Sequence, residues 1–411
     1  MIELDGDDEE VVVWPYAMQG TPERTAKASS ALASLIRGMH RLESFLDRTD
    51  ISLEVVYSAL KESRPNLKEV HLCWLGLNQP PQPTASLRYL QNLTSFSINS
   101  QFSDSSLDAL RDLLIDNCPL LQDIYIHPNC DCGGFRFNIL WLFQQGNWHH
   151  LRRLNIGRNI SLWDFDVGYD LETDELITIV SDFLRRHPML ECLWFWRNNM
   201  LRPRCIPPDA VPKLRRLMFN GTSDHTQLSN VVPIEVAEHL EFIWTDIKAE
   251  DSMSHIARMA GLKSCVVDAY DPTTIASLAR AAPQLEHLAI HREYDRFFEA
   301  GFWDIQVEIN YLRPYIAELL HFPALTHLTG LLRYIDPSTS ELARAFIEEL
   351  VTELPSLKYV ETQVKEGVRK MISLERHPDG QYKGYHDTPR REIHPDFWVP
   401  RREKFIGVVC F

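Results

Sequence analysis

The chain has 411 residues, of which 45% are hydrophobic and 24% are charged, and its 57 acidic against 42 basic side chains give a net charge of -15. The apolar content excludes an intrinsically disordered chain, because it is sufficient to form a packed core. The acidic balance argues against nucleic acid as a partner, since a phosphate backbone binds surfaces rich in lysine and arginine.

Residues 1–40 are predicted to form an acidic N-terminal segment and a cap for the fold that follows. Six of the first ten residues are acidic, whereas a secretory signal begins with basic residues and continues into an apolar run. Apolar stretches long enough to span a membrane are also absent from the sequence. We therefore expect no membrane partner, a cytoplasmic or nuclear location, and reduced thiols for the eight cysteines.

A seven-residue frame recurs along the chain, with apolar residues at its first, fourth and sixth positions. In the first clear copy these residues are Leu67, Val70 and Leu72. Because successive side chains of a strand point to opposite faces, each frame predicts a short strand with one buried face. The clear copies begin at Leu67, Leu93, Leu121, Leu151, Leu190, Leu214, Leu262 and Leu285, and weaker copies begin at Leu240, Leu325 and Leu357.

Proline recurs two residues before the frame leucine. A proline at this place stops an incoming helix and makes the chain extended before the next strand. The intervening segments have helical spacing of apolar residues, as in residues 104–117 and 174–187. The prolines in this register are Pro65, Pro119, Pro188, Pro212, Pro283, Pro323 and Pro355.

This alternation of strand and helix resembles the leucine-rich repeat, in the irregular form of fungal F-box/leucine-rich-repeat proteins. Repeated units of one strand and one helix bury their apolar faces by stacking on their neighbours. The resemblance implies an α/β fold, an irregular leucine-rich-repeat solenoid of horseshoe shape, with a parallel sheet on the concave face and helices on the convex face. We expect the solenoid to cover residues 41–363 in about 11–12 units.

The resemblance also implies that the chain binds a protein partner on its concave face. In that family the repeats follow an F-box, which is not seen in residues 1–40. A role as a substrate receptor for a ubiquitin ligase, in contact with the ligase adaptor, is therefore implied only if an F-box is encoded upstream of Met1. The asparagine or cysteine that usually follows each strand of the family is mostly missing.

Residues 364–411 lack the frame and are predicted to form a C-terminal cap that contains a hairpin. The turn of this hairpin is expected at residues 377–380, between the segments 371–374 and 381–385. Residues 404–411 are predicted to form a last strand.

The third, fifth and seventh frame positions should face the concave surface, and in the middle repeats they are large. Tryptophan, arginine and methionine are typical of binding hot spots. We therefore predict an accessible, contiguous partner-binding patch. Its residues are Arg153, Trp194, Trp196, Arg216, Met218, Phe242 and Trp244. The alternative is that a long insertion covers these side chains and makes them part of the core.

Motifs of catalysis, phosphate binding and dinucleotide binding are absent from the sequence. We therefore expect a monomeric, non-catalytic protein without a cofactor or metal. The alternative is a metal-binding protein or enzyme that uses Cys130 and Cys132, with His127 and either His149 or His150 as further ligands. Sulfur and imidazole nitrogen are the donors that zinc prefers, although one intervening residue is fewer than zinc sites usually have. A repeat array without a dedicated partner is a third reading.

Overall fold

The computed structural model describes most of the chain outside the connecting segments. The described residues are 2–4, 10–13, 22–39, 41–47, 54–62, 66–73, 87–100, 104–128, 137–157, 160–161, 173–195, 204–219, 228–245, 250–268, 271–291, 305–332, 335–338, 340–363 and 369–388. The chain forms two compact units. The first is Met1–Leu214 with Phe219–Ser223, and the second is Arg215–Met218 with Asp224–Phe411.

The first unit is built on a mostly parallel sheet. Its strands are β1 (Ile2–Leu4), β2 (Glu10–Val13), β3 (Leu42–Asp47), β4 (Glu69–Cys73), β5 (Ser95–Ser100), β6 (Asp123–Pro128), β7 (Phe137–Asn138), β8 (Arg153–Ile156), β9 (Ile160–Ser161) and β10 (Cys192–Phe195). The strand order is β1-β2-β3-β4-β5-β6-β8-β10, and β7 pairs with β9 separately. Only the β1–β2 pair of this unit is antiparallel among its described strands.

Helices connect successive strands of the first unit. They are α1 (Pro22–Gly38), α2 (Glu54–Glu62), α3 (Asp104–Arg111), α4 (Leu140–Gln145) and α5 (Thr173–Arg186). Right-handed crossovers between parallel strands place such helices on one face of a sheet. The helix predicted over residues 104–117 is α-helical to Arg111 and continues as the π-helix Asp112–Asn117.

The second unit repeats the same architecture. Its strands are β11 (Arg216–Phe219), β12 (Phe242–Thr245), β13 (Ser264–Asp268), β14 (His287–His291), β15 (His327–Thr329), β16 (Tyr359–Gln363), β17 (Arg369–Arg376) and β18 (Tyr382–Thr388), in that order in the sheet. The neighbouring strands from β11 to β16 pair in parallel, and β17 and β18 add antiparallel strands. Its helices are α6 (Leu228–Val231), α7 (Ile234–Ala237), α8 (Glu250–Ile256), α9 (Pro272–Ala281), α10 (Ile305–Leu319) and α11 (Glu341–Glu353).

The register of both sheets follows the frame. In the first unit the fourth frame positions pair across the strands in the order Val70, Phe96, Ile124, Leu154 and Leu193. In the second unit the paired fourth positions are Leu217, Ile243, Cys265, Leu288, Leu328 and Val360. All of these side chains are buried. The predicted fold class is therefore confirmed: this is an α/β fold of leucine-rich-repeat type with a parallel sheet.

A shared carbonyl sets this register. The carbonyl at the second frame position accepts hydrogen bonds from the second and third N–H groups of the next frame. Lys68 O, for example, lies 2.9 Å from Thr94 N and 3.1 Å from Ser95 N. Glu286 O accepts from Thr326 N at 2.7 Å and from His327 N at 3.1 Å in the same way. The pattern ties each strand to the next at its start.

Most of the frame prolines that the structure describes occupy β-turns. At the end of α5, Leu190 N donates to His187 O at 3.1 Å, which makes Pro188 the second residue of a four-residue turn. Proline favours this place because its ring presets the backbone angle that the turn needs. Pro283 and Pro355 stand in equivalent turns, closed by Leu285 N–Ala282 O and Leu357 N–Leu354 O.

Two buried polar side chains connect three repeats of the first unit. The indole Nε1 of Trp148 donates to Leu114 O of the π-helix at 3.0 Å. The backbone N–H of Trp148 donates to Nε2 of His187 at 3.1 Å, and Nδ1 of His187 lies 2.6 Å from Phe183 O. These two bonds require a neutral imidazole with its proton on Nδ1. Burial lowers the pKa of His187 to about 4.

The second unit ends in a hairpin formed by β17 and β18. Its turn spans residues 377–380, where Gly380 N donates to His377 O at 2.9 Å and His377 N donates to Gln381 O at 2.8 Å. The strand predicted at residues 404–411 lies outside the described residues. In the described part of the chain, every helix is too short or too polar to cross a bilayer.

Replacing Leu154 or Leu193 by aspartate is expected to lower the free energy of unfolding by several kcal/mol, because each change buries a charge among apolar side chains. Chemical denaturation followed by circular dichroism measures the loss. The matched control is Arg152→Asp, which places the same carboxylate at an exposed position beside Leu154. A Leu154→Asp protein as stable as this control would show that the frame does not face the core.

His187 makes stability depend on pH. Its pKa is about 4 in the folded protein and near 6.5 when unfolded, so the unfolded state takes up the proton first as the pH falls. The stabilisation is complete above pH 6.5 and is lost between pH 6.5 and 4, by about 3 kcal/mol in total. Urea unfolding across this range should show a flatter pH profile for His187→Gln. Equal slopes in the two proteins would contradict the assignment.

Candidate binding face of the sheet

The two faces of each sheet differ in composition. The fourth and sixth frame positions form the inner face, which packs against the helices. The third, fifth and seventh positions form the outer face, because side chains alternate along a strand. Parallel pairing in register places equal frame positions of adjacent strands side by side, so each outer position forms a row that crosses the strands. The frame leaves the residue type in these rows free.

The fifth-position row of the first unit combines polar and aromatic side chains. Pairing places them in the order His71, Ser97, Tyr125, Asn155 and Trp194. All five are buried. Adjacent strands are only about 4.8 Å apart, so each ring covers the side chains on both sides of it. The outer face of this unit is therefore packed closely, with polar groups enclosed between rings.

Glycine allows an aromatic ring to lie across two strands of the first unit. The rings of Tyr125 and His127 are stacked with centroids 6.0 Å apart. A Cβ atom at Gly157, on the next strand, would lie 2.4 Å from Cδ2 of His127. Any side chain at this position would displace the imidazole, so Gly157 is required for the stacked pair.

The third-position row of the first unit contains charged side chains. Arg153 lies between Asp123 and Cys192 in register. Its Nε is 3.7 Å from Oδ1 of Asp123, and its side chain is 37% exposed. An ion pair this exposed and this long contributes little to stability. Arg153 is therefore available to a partner.

The third-position row of the second unit is a connected ladder of polar and aromatic groups. Oγ of Ser264 lies 3.1 Å from Nδ1 of His287. The ring of His287 packs edge-on against His327 at 4.1 Å, and His327 stacks on Tyr359 at 4.6 Å between centroids. We call these four residues the histidine ladder. His287 and Tyr359 are half-buried, so the ladder has accessible surface.

Thr326 determines which ring nitrogen of His327 carries the proton. The hydroxyl of Thr326 donates to Glu286 O at 2.9 Å and lies 2.8 Å from Nδ1 of His327. Since this hydroxyl has one hydrogen, Nδ1 must be the donor in its contact with Thr326. His327 therefore has Nε2 left as its acceptor when it is neutral.

A buried carboxylate stabilises the end of the repeats in the second unit. Oε2 of Glu361 accepts a hydrogen bond from Gly330 N at 2.9 Å. Gly330 has φ of +75°, and a Cβ there would lie 2.3 Å from Ile290 O. Glycine at position 330 is thus needed both for its backbone angle and for the close approach of β14. The sequence frame gave no indication of this role, because Gly330 stands at a frame position that is otherwise apolar.

The predicted exposure of the central patch is wrong for most of its residues. Trp194 is 4% exposed and Trp244 is 9% exposed, and Met218 and Phe242 are also buried. Lateral packing contributes to this burial, because Trp244 lies in register between Met218 and Val266 on the two neighbouring strands, only about 4.8 Å away. The structure thus supports the alternative in which these aromatic side chains belong to the core.

The remaining residues of the predicted patch do not form one contiguous group within the described part of a single unit. Arg153 belongs to the first unit with Trp194, and half-buried Arg216 belongs to the second unit with Met218, Phe242 and Trp244. Trp196 lies outside the described residues, as do residues 162–172 of the long segment before Leu190 and residues 200–203 of the loop 200–211, the two insertions that could cover the patch. The binding role of these residues stays a prediction. The sequence analysis missed the histidine ladder, although the third frame positions of the late repeats identify it.

The metal alternative loses part of its ligand set. Arg153 pairs with Asp123, His150 precedes Arg153 by three residues, and His127 follows Asp123 by four. Seven residues along parallel strands correspond to about 20 Å, so His127 and His149 or His150 cannot share an ion. Cys130 and Cys132 lie outside the described residues. Within the described ranges, no three His, Cys, Asp or Glu side chains are grouped to hold a metal.

Because they are packed side chains, Trp194 and Trp244 should support folding. Trp194→Ala and Trp244→Ala are each expected to lower the free energy of unfolding by about 3–5 kcal/mol, since both leave a large cavity. Denaturant titration followed by circular dichroism measures this loss. Arg153→Ala is the control from the same face and should cost less than about 1 kcal/mol. If the tryptophan variants were as stable as wild type, the side chains would not be packed in the core, and the prediction of an accessible patch would stand.

Comparisons with known proteins identify leucine-rich-repeat proteins among solved structures. The leucine-rich-repeat-containing protein LegL7 of Legionella pneumophila aligns with 14% identity over 78% of this chain and 94% of its own, at a TM-score of 0.38. A leucine-rich-repeat protein of Leptospira interrogans aligns with 10% identity over 85% of this chain and 100% of its own, at a TM-score of 0.25. No protein-family model and no curated protein matches the chain.

Proposed function

We propose that the chain is a non-catalytic recognition module that binds a protein partner through the outer face of its sheet. The observation that carries this proposal is the histidine ladder, the connected row of Ser264, His287, His327 and Tyr359, in which His287 and Tyr359 are half-buried and the other two are buried. Its groups are rigid because each contacts the next across the strands. Rigid aromatic groups lose little entropy on binding, which makes them effective contact residues.

The difference in composition between the two faces of the sheet supports this proposal. The inner face is occupied by apolar residues that maintain the fold, so the outer rows can change without altering the register. Arg153 and Arg216 are half-buried on the outer face, and arginine is enriched at protein interfaces. In the second unit, the outer face carries the rings of the ladder and the guanidinium group of Arg216, and such groups are suited to a protein partner.

The finer parts of the function rest on the sequence alone. We propose a substrate receptor of a ubiquitin ligase, acting as a monomer in the cytoplasm or nucleus, from the resemblance to F-box/leucine-rich-repeat proteins. The acidic balance of the chain favours a protein over a nucleic acid as partner. Sequencing of the coding DNA upstream of Met1 tests this role, because the adaptor of such a ligase binds the F-box.

Exchange of ladder residues tests the binding face. The double variant His287→Ala/Tyr359→Ala should reduce capture of partner proteins in a quantitative affinity purification roughly thirtyfold, equivalent to about 2 kcal/mol of binding energy. Both residues are half-buried, so the melting temperature should change little. The matched control is His321→Ala/Tyr311→Ala on and after α10, which removes the same side-chain types away from the outer face. Equal capture by wild type and the ladder variant would reject this face as the binding site.

A further inference from the structure

The side chain of Asn155 occupies an unusual position on β8 of the first unit. It is 4% exposed, and both Oδ1 and Nδ2 are buried without a hydrogen bond to any residue that the structure describes. An amide with a buried, unsatisfied donor and acceptor destabilises the folded chain. Buried polar groups in folded proteins are as a rule hydrogen-bonded, so a ligand or an ordered water is the expected partner of this amide.

Aromatic side chains stand on both strands beside Asn155, and we call the position of its amide between them the slot. In register its neighbours are Tyr125 on β6 and Trp194 on β10. The ring of His127 stacks on Tyr125 and lies over Gly157, two residues beyond Asn155 on its own strand. The amide is thus bordered by rings on both neighbouring strands, and these rings offer apolar surface to whatever occupies the slot.

The charges near the slot favour a neutral ligand. Arg153 precedes Asn155 by two residues, and its guanidinium lies 3.7 Å from the carboxylate of Asp123. The two opposite charges offset each other, so neither an anion nor a cation is strongly preferred. A neutral group with one donor and one acceptor matches the amide of Asn155, which offers N–H and C=O side by side.

A second amide extends the site. Asn99 on β5 is buried, and its Oδ1 has no hydrogen-bond partner within the described part of the chain. Asn99 and Asn155 are two strands apart across the sheet and two residues out of register along the strands. Together these offsets place them roughly 12 Å apart. An extended chain advances about 3.3 Å per residue. Peptide groups about four residues apart would therefore reach both amides.

We infer that Asn155 binds the main chain of an extended peptide segment of a partner protein, donating to one peptide carbonyl and accepting from one peptide N–H. This inference rests on the proposed function and names the chemistry that the partner presents. Tyr125, His127 and Trp194 pack against the peptide side chains on either side of the bound peptide group. Tyr125 and Trp194 are buried in the free chain, so binding in this way requires their side chains to rotate, as interface side chains commonly do.

Selection from a displayed library of random peptides tests this inference on the full chain. Peptides of about eight residues are long enough, when extended, to cover Asn155 and Asn99. Selected peptides are synthesised and titrated calorimetrically into wild type, Asn155→Leu and the control Asn310→Leu, which alters an exposed asparagine of α10. We expect Asn155→Leu to bind at least roughly tenfold more weakly, while the control binds like wild type.

Two further readouts separate recognition from a structural role. Asn155→Leu should melt at the same temperature as wild type or higher, because it removes unsatisfied polar atoms. N-methylation of single peptide bonds tests wild type without any variant: one methylated position should weaken binding at least roughly tenfold, because it blocks the N–H that Oδ1 accepts. Retained affinity at every methylated position would overturn the inference.

The remaining outcomes are also decisive. If wild type selects no peptide, or if selected peptides bind Asn155→Leu with wild-type affinity, the slot holds only ordered water and the inference is wrong. Those results leave the proposed function in place, since it is tested by His287 and Tyr359 of the second unit. Loss of partner capture in that ladder variant, with unchanged peptide binding, would separate the two conclusions.

Discussion

The shared carbonyl at the second frame position is the interaction on which the rest of the structure depends. One oxygen, such as Lys68 O, accepts two consecutive N–H groups of the following strand. A slip of one residue would break both bonds and move every apolar side chain of that strand to the other face. The register therefore survives the 22 to 40 residues that separate successive frames. Connecting segments can differ in length because each strand is realigned where it begins.

The proline turns make this realignment possible. A helix that continued into the frame would place the leucine on a helical surface and leave the shared carbonyl without its donors. Pro188, Pro283 and Pro355 end the helix and begin a turn that closes on the frame leucine. Trp148 and His187 add a second connection at the same level, because their hydrogen bonds link the end of one repeat to the next. The start of each strand is thus determined by both backbone and side chains.

The outer face is packed almost as closely as the inner one, and this explains where polar chemistry is found. Strands about 4.8 Å apart bring equal frame positions together, so large side chains cover one another and small polar ones are enclosed. Among the described residues, polar groups of the third-position rows reach the surface, as at Arg153, His287 and Tyr359. At Asn155 the rings enclose an amide instead. Binding on this face therefore depends on a few positions in each unit.

The sequence by itself determined the fold class and the register. The spacing of apolar residues in each frame identified the strands that contain Val70, Leu154 and Leu288, and the phased prolines identified where helices end, because both signals are local. Only the tertiary structure decided which outer side chains are accessible. Trp244 is buried, and the residues that flank it in the sheet, Met218 and Val266, are 26 and 22 residues away in the chain. The histidine ladder likewise arises from residues in four separate repeats. Exposure and contact are properties of rows across strands, and a pattern along one strand does not contain them.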